Sequence, residues 1–421
     1  MPDAPLQRSA SPQHCPTPRE LDDLELLTHG ALAPLDGFEG PDGLVTLTVP
    51  PDVAATAQAA GALELVDPEG LPLARLDVTG TYPAGEQVGL TGPVTQLAHH
   101  EFGAFRRLYL TPQQVRESYG ERAVTVPVAD ALTHADLDRV RAASDGAPVV
   151  LLALVGTGTP DLSPPALIRA TLAAAAHLPD AHVVAVPLAS RGDATADHEL
   201  GQRVVAAYAP GMVVGVTGEG VSPSDYPDDV AAIIERDLPP VDEQGLVLFF
   251  TGLSGSGKST LARALHDVIL EQGERTVTSL DGDVVRRNLS AGLTFSKEDR
   301  ETNIRRIGWV AAEISRHGGV AICSPIAPFD ATRQQVRQMV TDAGGAFVLV
   351  HVATPLEECE RRDRKGLYAK ARAGLIPEFT GISSPYEEPA DAAVRVDTTG
   401  RTIEDALDDV LTHLRSEGYL T

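Results

Sequence analysis

Short segments in which apolar and polar residues alternate occupy much of the first quarter of the chain. They lie at 44–49 (LVTLTV), 62–67 (ALELVD) and 73–78 (LARLDV), and turns containing Gly and Pro separate them. Alternation with a period of two is typical of strands with one buried face. The pattern predicts a small β-rich domain over 21–122, preceded by a polar, Pro-rich flexible tail over 1–20.

A different pattern fills 123–238, where continuous apolar runs alternate with Ala-rich segments. The apolar runs predict buried strands at 147–156, 181–189 and 212–218. The Ala-rich segments predict helices at 165–177 and 197–208. Such alternation is typical of an α/β layer. Pro and acidic residues cluster after it, which predicts a domain boundary near 235–245.

The last third of the chain repeats the strand–helix alternation more regularly. The predicted strands are 246–251, 276–280, 319–324, 346–353 and, more weakly, 392–397. The predicted helices are 258–272, 297–317, 330–343, 355–362 and 402–416. This order favours an α/β fold with a parallel, doubly wound sheet over 239–421.

Charge and cysteine content narrow the class of protein. The formal net charge is −25, which argues against general binding to nucleic acids or anionic membranes, since both need a broad basic surface. Cys15, Cys323 and Cys359 form no CxxC pair, so a disulfide framework and a zinc ribbon are excluded and a reducing compartment is indicated. Because no apolar signal segment or membrane span is found, we expect a cytoplasmic protein without membrane contact.

A glycine-rich turn joins the apolar run LVLFF to the next helical segment. It fits G-x-x-x-x-G-K-[ST] and comprises Gly252, Leu253, Ser254, Gly255, Ser256, Gly257, Lys258, Ser259 and Thr260. The glycines let backbone N–H groups surround a phosphate. Lys258 can reach the β- and γ-phosphate oxygens, and the Ser259 hydroxyl can ligate Mg²⁺. The motif predicts a nucleoside triphosphate site, and by itself it does not separate a GTPase, an ATPase motor and a small-molecule kinase.

Two carboxylates, Asp281 and Asp283, follow the next predicted strand. In doubly wound sheets ligands bind at this end of the strands. A carboxylate there can hold Mg²⁺ through water or accept a proton from an acceptor hydroxyl. With Lys258, these two residues are the candidate catalytic groups.

Basic residues follow in two further segments. After a predicted helix N-cap at Ser296, Arg300, Asn303 and Arg306 share one helix face with no acid among them, which suits an anion pocket. The segment 361–389, here called the lid segment, is basic and interrupted by Gly and Pro, as expected of a mobile cover over phosphates. The alternative for it is an ordinary exposed basic helix.

Four segments in order, FTGLSGSGKST, LDGDVVRRNL, FSKEDRETNIRRIG and KGLYAKARAGLIPEFTGISSPYEEP, resemble adenylyl-sulfate kinase (APS kinase) over about 245–421. The resemblance implies a P-loop kinase that uses ATP and Mg²⁺ to phosphorylate the ribose 3′-OH of adenosine 5′-phosphosulfate (APS), yielding PAPS. It implies that Asp283 is the base or orients the acceptor. The substrate residues that it implies are Arg286, Arg300 and Asn303 at the phosphosulfate, Phe295 and Phe379 on the adenine, Lys365 in the lid segment, and Ile326.

The sequence departs from this family at one position. The family commonly carries I-S-P-[FYH]-R, whose serine can be phosphorylated, whereas here Ile326 is followed by Ala327, Pro328 and Phe329. Ser324 lies three residues before Ala327. We therefore predict direct in-line transfer without a phosphoserine.

The front half resembles ATP sulfurylase. LELLTHGALAPLDGF (24–38) and GALELVDPEGLPLARLDV are similar to its PUA-like N-terminal domain, and 123–238 stands where its nucleotidyltransferase domain would follow. Three signatures of that chemistry, Q-x-R-N, H-x-x-H and G-R-D-H-A, are missing. Their absence predicts that the front half is a degenerate, non-catalytic sulfurylase-like region. The formation of PAPS implied by the resemblance of 245–421 would serve sulfate activation and assimilation.

Other functions of this chain remain compatible with the sequence. The chain could be a bifunctional ATP sulfurylase/APS kinase, or its front half could serve assembly or regulation by binding a nucleotide or a partner. A P-loop kinase for a nucleoside or sugar would not explain FTGISSPYEEP. We expect a homo-oligomer whose small-molecule substrates are ATP and APS, and a separate active ATP sulfurylase is a candidate partner.

Overall fold

The computed structural model describes residues 12–99, 103–158, 162–218, 220, 222–294 and 296–421, with the side chains of Asp283 and Val284 excepted. The chain divides into two compact units, Met1–Leu238 and Pro239–Thr421. Each unit has its own cores and is described by itself.

The first unit combines a mixed sheet with an α/β layer. Its strands are β1 (Gln13–His14), β2 (Gly37–Phe38), β3 (Leu47–Val49), β4 (Ala62–Val66), β5 (Pro72–Asp77), β6 (Gly80–Ala84), β7 (Gln87–Gln96), β8 (Val124–Val128), β9 (Val149–Leu154) and β10 (Ala181–Val186). Its helices are α1 (Pro18–Thr28), α2 (Pro51–Ala60), α3 (Pro112–Tyr119), α4 (His134–Ser144), α5 (Pro164–Ala176), α6 (Ala194–Tyr208) and α7 (Asp228–Asp237).

Two sheets organise the first unit. Seven strands form a sheet in the order β1-β4-β5-β7-β2, with β3 and β6 also paired to the long strand β7. The parallel strands β10-β9-β8 form the second sheet. Apolar side chains from its two faces enter different cores, one shared with α6 and the mixed sheet and the other with α4 and α5.

The predicted tail over 1–20 is wrong from residue 12 onwards. β1 pairs with β4, and α1 begins at Pro18. Thr17 and Glu20 form a capping box at its N-terminus, and the buried Glu20 carboxylate also accepts a 2.8 Å hydrogen bond from the backbone nitrogen of Thr48. Pro at the first helical position is common, because its missing N–H would have no partner there. The proline at this position therefore belongs to the start of α1 and not to a flexible tail.

The apolar run 212–218 does not form the predicted strand. Its contact with the sheet among the described residues is an isolated bridge between Thr125 and Val213. Met212 and Val213 are exposed. Apolar content alone does not make a strand where the backbone lacks a continuous partner.

The second unit is an α/β domain with one fully parallel sheet. Its strands are β11 (Leu246–Thr251), β12 (Val277–Leu280), β13 (Val320–Cys323), β14 (Ala346–Val352) and β15 (Val394–Val396). Its helices are α8 (Lys258–Gln272), α9 (Gly282–Asn288), α10 (Lys297–Arg316), α11 (Asp330–Asp342), α12 (Leu356–Arg362), α13 (Leu367–Arg372) and α14 (Ile403–Ser416). The strand order is β12-β13-β11-β14-β15, and every pair is parallel.

The sheet of the second unit is covered on both faces, which confirms the predicted doubly wound fold. One core contains side chains from α8 and α14, and the opposite core contains side chains from α10 and α11. Since β11 is central and buried throughout, the turn after it lies at the middle of the carboxyl edge of the sheet. Within the described part of the chain, no helix is both long and apolar enough to cross a bilayer.

Candidate active site

The P-loop, Gly252–Gly257, connects β11 to α8 at this carboxyl edge. Gly252 and Gly257 have φ values of 145° and 106°, in the region that favours glycine. A Cβ on Gly252 would lie 2.4 Å from the carbonyl oxygen of Val352 in β14, so no larger residue fits. Packing against the neighbouring strand therefore fixes the loop tightly enough to present its backbone N–H groups.

Lys258 begins α8 beneath this loop and is buried. Its Nζ donates a 2.6 Å hydrogen bond to the carbonyl oxygen of Leu253. Burial lowers the pKa of Lys258 to about 8, and nearby Cys359 and Asp281 oppose that shift. An anion in the loop would supply the negative charge that a buried ammonium favours.

Ser256 has a hydroxyl with no partner among the described residues, although the residue is fully buried. Its carbonyl oxygen accepts hydrogen bonds of 2.9 Å from the hydroxyls of Thr354 and Thr398. Arg362 also donates to the Thr398 hydroxyl, at 2.8 Å. Hydrogen bonds from Thr354 and Thr398 thus hold the backbone of the loop in place. The unsatisfied Ser256 hydroxyl and the backbone N–H groups beside the glycines suit a bound phosphate.

Asp281 is the N-cap of α9, immediately after β12. Its Oδ1 accepts hydrogen bonds from the hydroxyls of Ser259, at 3.2 Å, and Ser324, at 2.9 Å. The predicted metal residue Ser259 and the predicted catalytic residue Asp281 are therefore in contact. The side chain of Asp283 lies outside the described residues.

Arg300 lies on α10 and reaches the lid segment. Its Nη1 donates to the carbonyl oxygen of Glu378, at 3.0 Å, and to the hydroxyl of Thr380, at 3.2 Å. Its buried Nε has no partner among the described residues. Arg300 therefore binds the two residues that flank Phe379 in sequence and holds that part of the lid segment in place.

The remaining predicted substrate residues are distributed around this edge. Asn303 accepts a hydrogen bond from the buried hydroxyl of Ser290, which orients its side-chain amide. Arg286 is exposed in the last turn of α9, and Lys365 is exposed between α12 and α13. Phe295 lies outside the described residues.

The lid segment rests on the P-loop through Tyr368. The Tyr368 ring meets Phe379 edge-on, with 5.1 Å between ring centroids, and its hydroxyl donates to the carbonyl oxygen of Ser254 at 2.8 Å. Phe379 is half-buried. Tyr368 was not among the site residues predicted from the sequence, because an aromatic in a basic segment carries no signal of what it contacts.

The segment after β13 passes behind the P-loop. The carbonyl oxygen of Ile326 accepts a 2.6 Å hydrogen bond from the Thr251 hydroxyl. Ala327 has φ 44°, and the fully buried Arg333 donates to its carbonyl oxygen at 2.9 Å. Ile326 thus contributes through its backbone. Arg333, which was not predicted from the sequence, supports a strained turn at Ala327.

The first unit contains a cavity of about 350 Å³ near the carboxyl ends of β9 and β10. Asp22, Glu25, Arg106 and Thr157 are among the residues that line it. Arg106 pairs with Glu25 at 2.5 Å, so this cation is already neutralised. The cavity has the size of a ligand site, but acidic side chains dominate its polar lining.

No group of three or more His, Cys, Asp or Glu side chains suited to a metal ion occurs in the described ranges. Ser259 and Asp281 place a hydroxyl and a carboxylate beside the P-loop, where a bound cation would also meet water and phosphate. Mg²⁺ commonly binds in this way, through few protein ligands and several waters.

A P-loop between a central parallel strand and a helix, a carboxylate directly after the edge strand β12 and the basic lid segment define a P-loop kinase. Residues 244–397 match the family model described as Adenylylsulphate kinase. The second unit therefore belongs to the adenylylsulphate kinase family of enzymes.

A curated relative and a solved structure are also similar to this chain. The sulfate adenylyltransferase of Neosartorya fischeri is 48% identical over 194 residues, which are 46% of this chain and 34% of that protein. The chain thus spans about a third of the length of such curated relatives. The hexameric APS kinase from Thiobacillus denitrificans superposes with a TM-score of 0.76 at 28% identity, covering 98% of this chain and 94% of that one. Its similarity therefore extends over both units.

Proposed function

We propose that this protein transfers the γ-phosphoryl group of ATP to the 3′-OH of APS, giving PAPS. The observation that carries the proposal is the contact of Ser259, in the first helical turn after the P-loop, with Asp281, at the same sheet edge that Arg300 and the lid segment border. The family of residues 244–397 supplies the acceptor class.

In this proposal the P-loop holds the phosphates of ATP. Backbone N–H groups of Gly252–Gly257 and the free hydroxyl of Ser256 bind phosphate oxygens, while the Lys258 ammonium exchanges its bond to Leu253 for the β- and γ-phosphates. Ser259 and Asp281 would hold Mg²⁺, which neutralises charge on the transferring phosphoryl group when bound. The site's polar residues thus serve positioning and charge stabilisation.

The acceptor would lie under the lid segment. Arg286, Arg300 and Asn303 are proposed to bind the phosphosulfate, and Phe379, braced by Tyr368, to stack on the adenine with Phe295. Asp283 is proposed to orient the 3′-OH and accept its proton. Ile326 and Lys365 complete the proposed acceptor site.

Direct transfer is favoured over a phosphoserine route. Ala327 has no hydroxyl, and the Ser324 hydroxyl is buried and donates to Asp281. A phosphoryl group on Ser324 would place negative charge beside that carboxylate.

We infer that the first unit is a sulfurylase-like scaffold, with a PUA-like part over 21–122 and a reduced nucleotidyltransferase-like part over 123–238, and that it lacks catalysis. The Asp22 carboxylate takes up the donors of Thr157 at the end of β9, and Arg191 is paired with buried Asp23 at 2.5 Å. The donors of Thr157 are thus engaged, and the charge of Arg191 is already paired with a carboxylate. The name of the curated relatives favours the second candidate, a bifunctional sulfurylase/kinase.

We also propose that the protein forms a homo-oligomer. The match to a hexameric APS kinase over 98% of this chain favours a homo-oligomer. Association with a separate ATP sulfurylase stays a prediction.

Two assays on the purified protein test the proposal. ATP with APS should give PAPS, and its absence would refute the kinase assignment. ATP with sulfate and pyrophosphatase should give neither APS nor PAPS, whereas formation of either product would establish the bifunctional alternative.

A further inference from the structure

Ser324 lies beside Asp281 because of the register of two strands. β12 and β13 are parallel and pair Leu280 with Cys323, so the next residue on each strand emerges at the same edge of the sheet. There the Ser324 hydroxyl donates a 2.9 Å hydrogen bond to Oδ1 of Asp281.

One oxygen of Asp281 receives all the hydrogen bonds that the described residues make to this carboxylate. Oδ1 accepts from the Ser324 hydroxyl, from the Ser259 hydroxyl at 3.2 Å and from the backbone nitrogen of Gly282 at 2.7 Å. Within the described part of the chain, no group donates to Oδ2. The carboxylate is therefore anchored through one oxygen and can present the other to a ligand.

The two serines that contact Asp281 differ in their freedom to move. Ser259 is exposed in the first turn of α8, so its hydroxyl can turn towards a cation. Ser324 is only 6% exposed and is fixed at the end of β13. Once Ser259 ligates a cation, Ser324 and the Gly282 nitrogen are the donors that continue to hold Asp281.

We propose that Ser324 is a positioning residue that fixes the Asp281 carboxylate for the hydration shell of nucleotide-bound Mg²⁺. The inference rests on the proposed function, because that function places a Mg²⁺–nucleotide at the P-loop. Hydrogen bonds to charged groups are among the stronger ones, so loss of this bond should be measurable.

The test compares ADP affinity with and without Mg²⁺ by isothermal titration calorimetry of the full chain. The variants are Ser324→Ala, Asp281→Asn and the double variant, with Ser315→Ala as the matched control. Ser315 is a buried serine of the same unit whose hydroxyl donates to its own helix, at the Ala312 carbonyl oxygen over 2.8 Å.

We expect Ser324→Ala to reduce the Mg²⁺-dependent gain in ADP affinity by about tenfold while ADP affinity in EDTA stays within twofold. The double variant should be no weaker than Asp281→Asn, because Ser324 acts through Asp281. Ser315→Ala should match the wild type. In turnover assays, Ser324→Ala should need more Mg²⁺ for half-maximal rate with the KM for APS unchanged.

The proposal is overturned if Ser324→Ala keeps the full Mg²⁺-dependent gain, if it loses ADP affinity equally in EDTA, or if its effect adds fully to that of Asp281→Asn. Failure of the proposed function looks different. A wild-type protein that binds Mg²⁺ and ADP but does not phosphorylate APS would refute the kinase assignment and leave the calorimetric result standing.

Discussion

The carboxylate of Asp22 accepts hydrogen bonds from both the backbone nitrogen and the hydroxyl of Thr157, at 2.7 and 2.6 Å. Thr157 follows β9, where an α/β layer normally presents its donors to a ligand. Burial raises the pKa of Asp22, and the hydrogen bonds from Thr157 oppose the rise. An acidic side chain of α1 thus occupies donors that an anionic substrate would need.

The first prediction concerns this front unit. We expect no sulfate-dependent ATP–pyrophosphate exchange, because the donors that would stabilise the α-phosphate and the departing pyrophosphate are missing or engaged. A chain beginning at Pro240 should keep its fold and its kinase activity, since the unit boundary falls at Leu238 and Pro239. Exchange that appears in the full chain and vanishes in the shortened one would make the front unit catalytic.

Lys258→Ala should abolish PAPS formation. The ammonium is a point charge for the β- and γ-phosphates, and losing such a group costs several kcal/mol in the transition state, on the order of a thousandfold in rate. The measurement is the initial rate at saturating ATP and APS, with Lys297→Ala, an exposed lysine of α10, as the control. More than a tenth of wild-type activity in Lys258→Ala would contradict the site assignment.

Arg300→Ala should raise the KM for APS more than the KM for ATP. Arg300 contacts Glu378 and Thr380 on either side of the proposed adenine-stacking residue, and its expected ligand is the phosphosulfate. Arg305→Ala is the matched control, because Arg305 lies on the same helix and pairs with Glu301 at 3.8 Å. An equal rise in both constants would assign Arg300 to the nucleotide site or to the fold.

No phosphoenzyme should form. After incubation with ATP and no APS, intact-mass spectrometry should show no species heavier by one phosphoryl group, since Ala327 carries no hydroxyl and the Ser324 hydroxyl faces a carboxylate. A stoichiometric phosphate on Ser324 would restore the covalent route and also contradict its positioning role.

The second unit should lose stability in mild acid through His351. Burial, with help from Arg395, lowers the pKa of His351 to about 4 in the folded protein, below its ordinary value of 6.5. As pH falls from 6.5 towards 4, the unfolded chain takes up a proton that the folded one does not, so stability present above pH 6.5 is lost. The loss should be about 2 kcal/mol between pH 7 and 5.

Urea unfolding at the two pH values checks this, with the single tryptophan, Trp309, as a probe in that unit. His351→Gln removes the titrating group, so its free energy of unfolding should fall less between pH 7 and 5. An identical fall in the variant and the wild type would assign the acid sensitivity to other groups.

The sequence by itself determined the elements and the site that consecutive residues build. The P-loop needs glycines, a lysine and a serine at fixed spacing between a strand and a helix, and all of these are adjacent in the chain. Buried parallel strands read as continuous apolar runs, so the five strands of the second unit were predicted by pattern alone. The short helices α9 and α13 were not predicted, although α12, which is equally short, was.

Only the tertiary structure decided which distant residues complete and support the site. Ser324 reaches Asp281 through the register of β12 with β13, and Thr398 reaches the Ser256 carbonyl oxygen across 142 positions of sequence. Thr157 meets Asp22 across 135 positions, which fills donors that the sequence leaves open. Each contact joins single polar residues on separate elements, and no local pattern encodes such a pairing. Such a pairing forms only when packing brings separate strands, loops and helices together. The contacts made there decide whether a polar side chain binds a ligand or another residue of the chain.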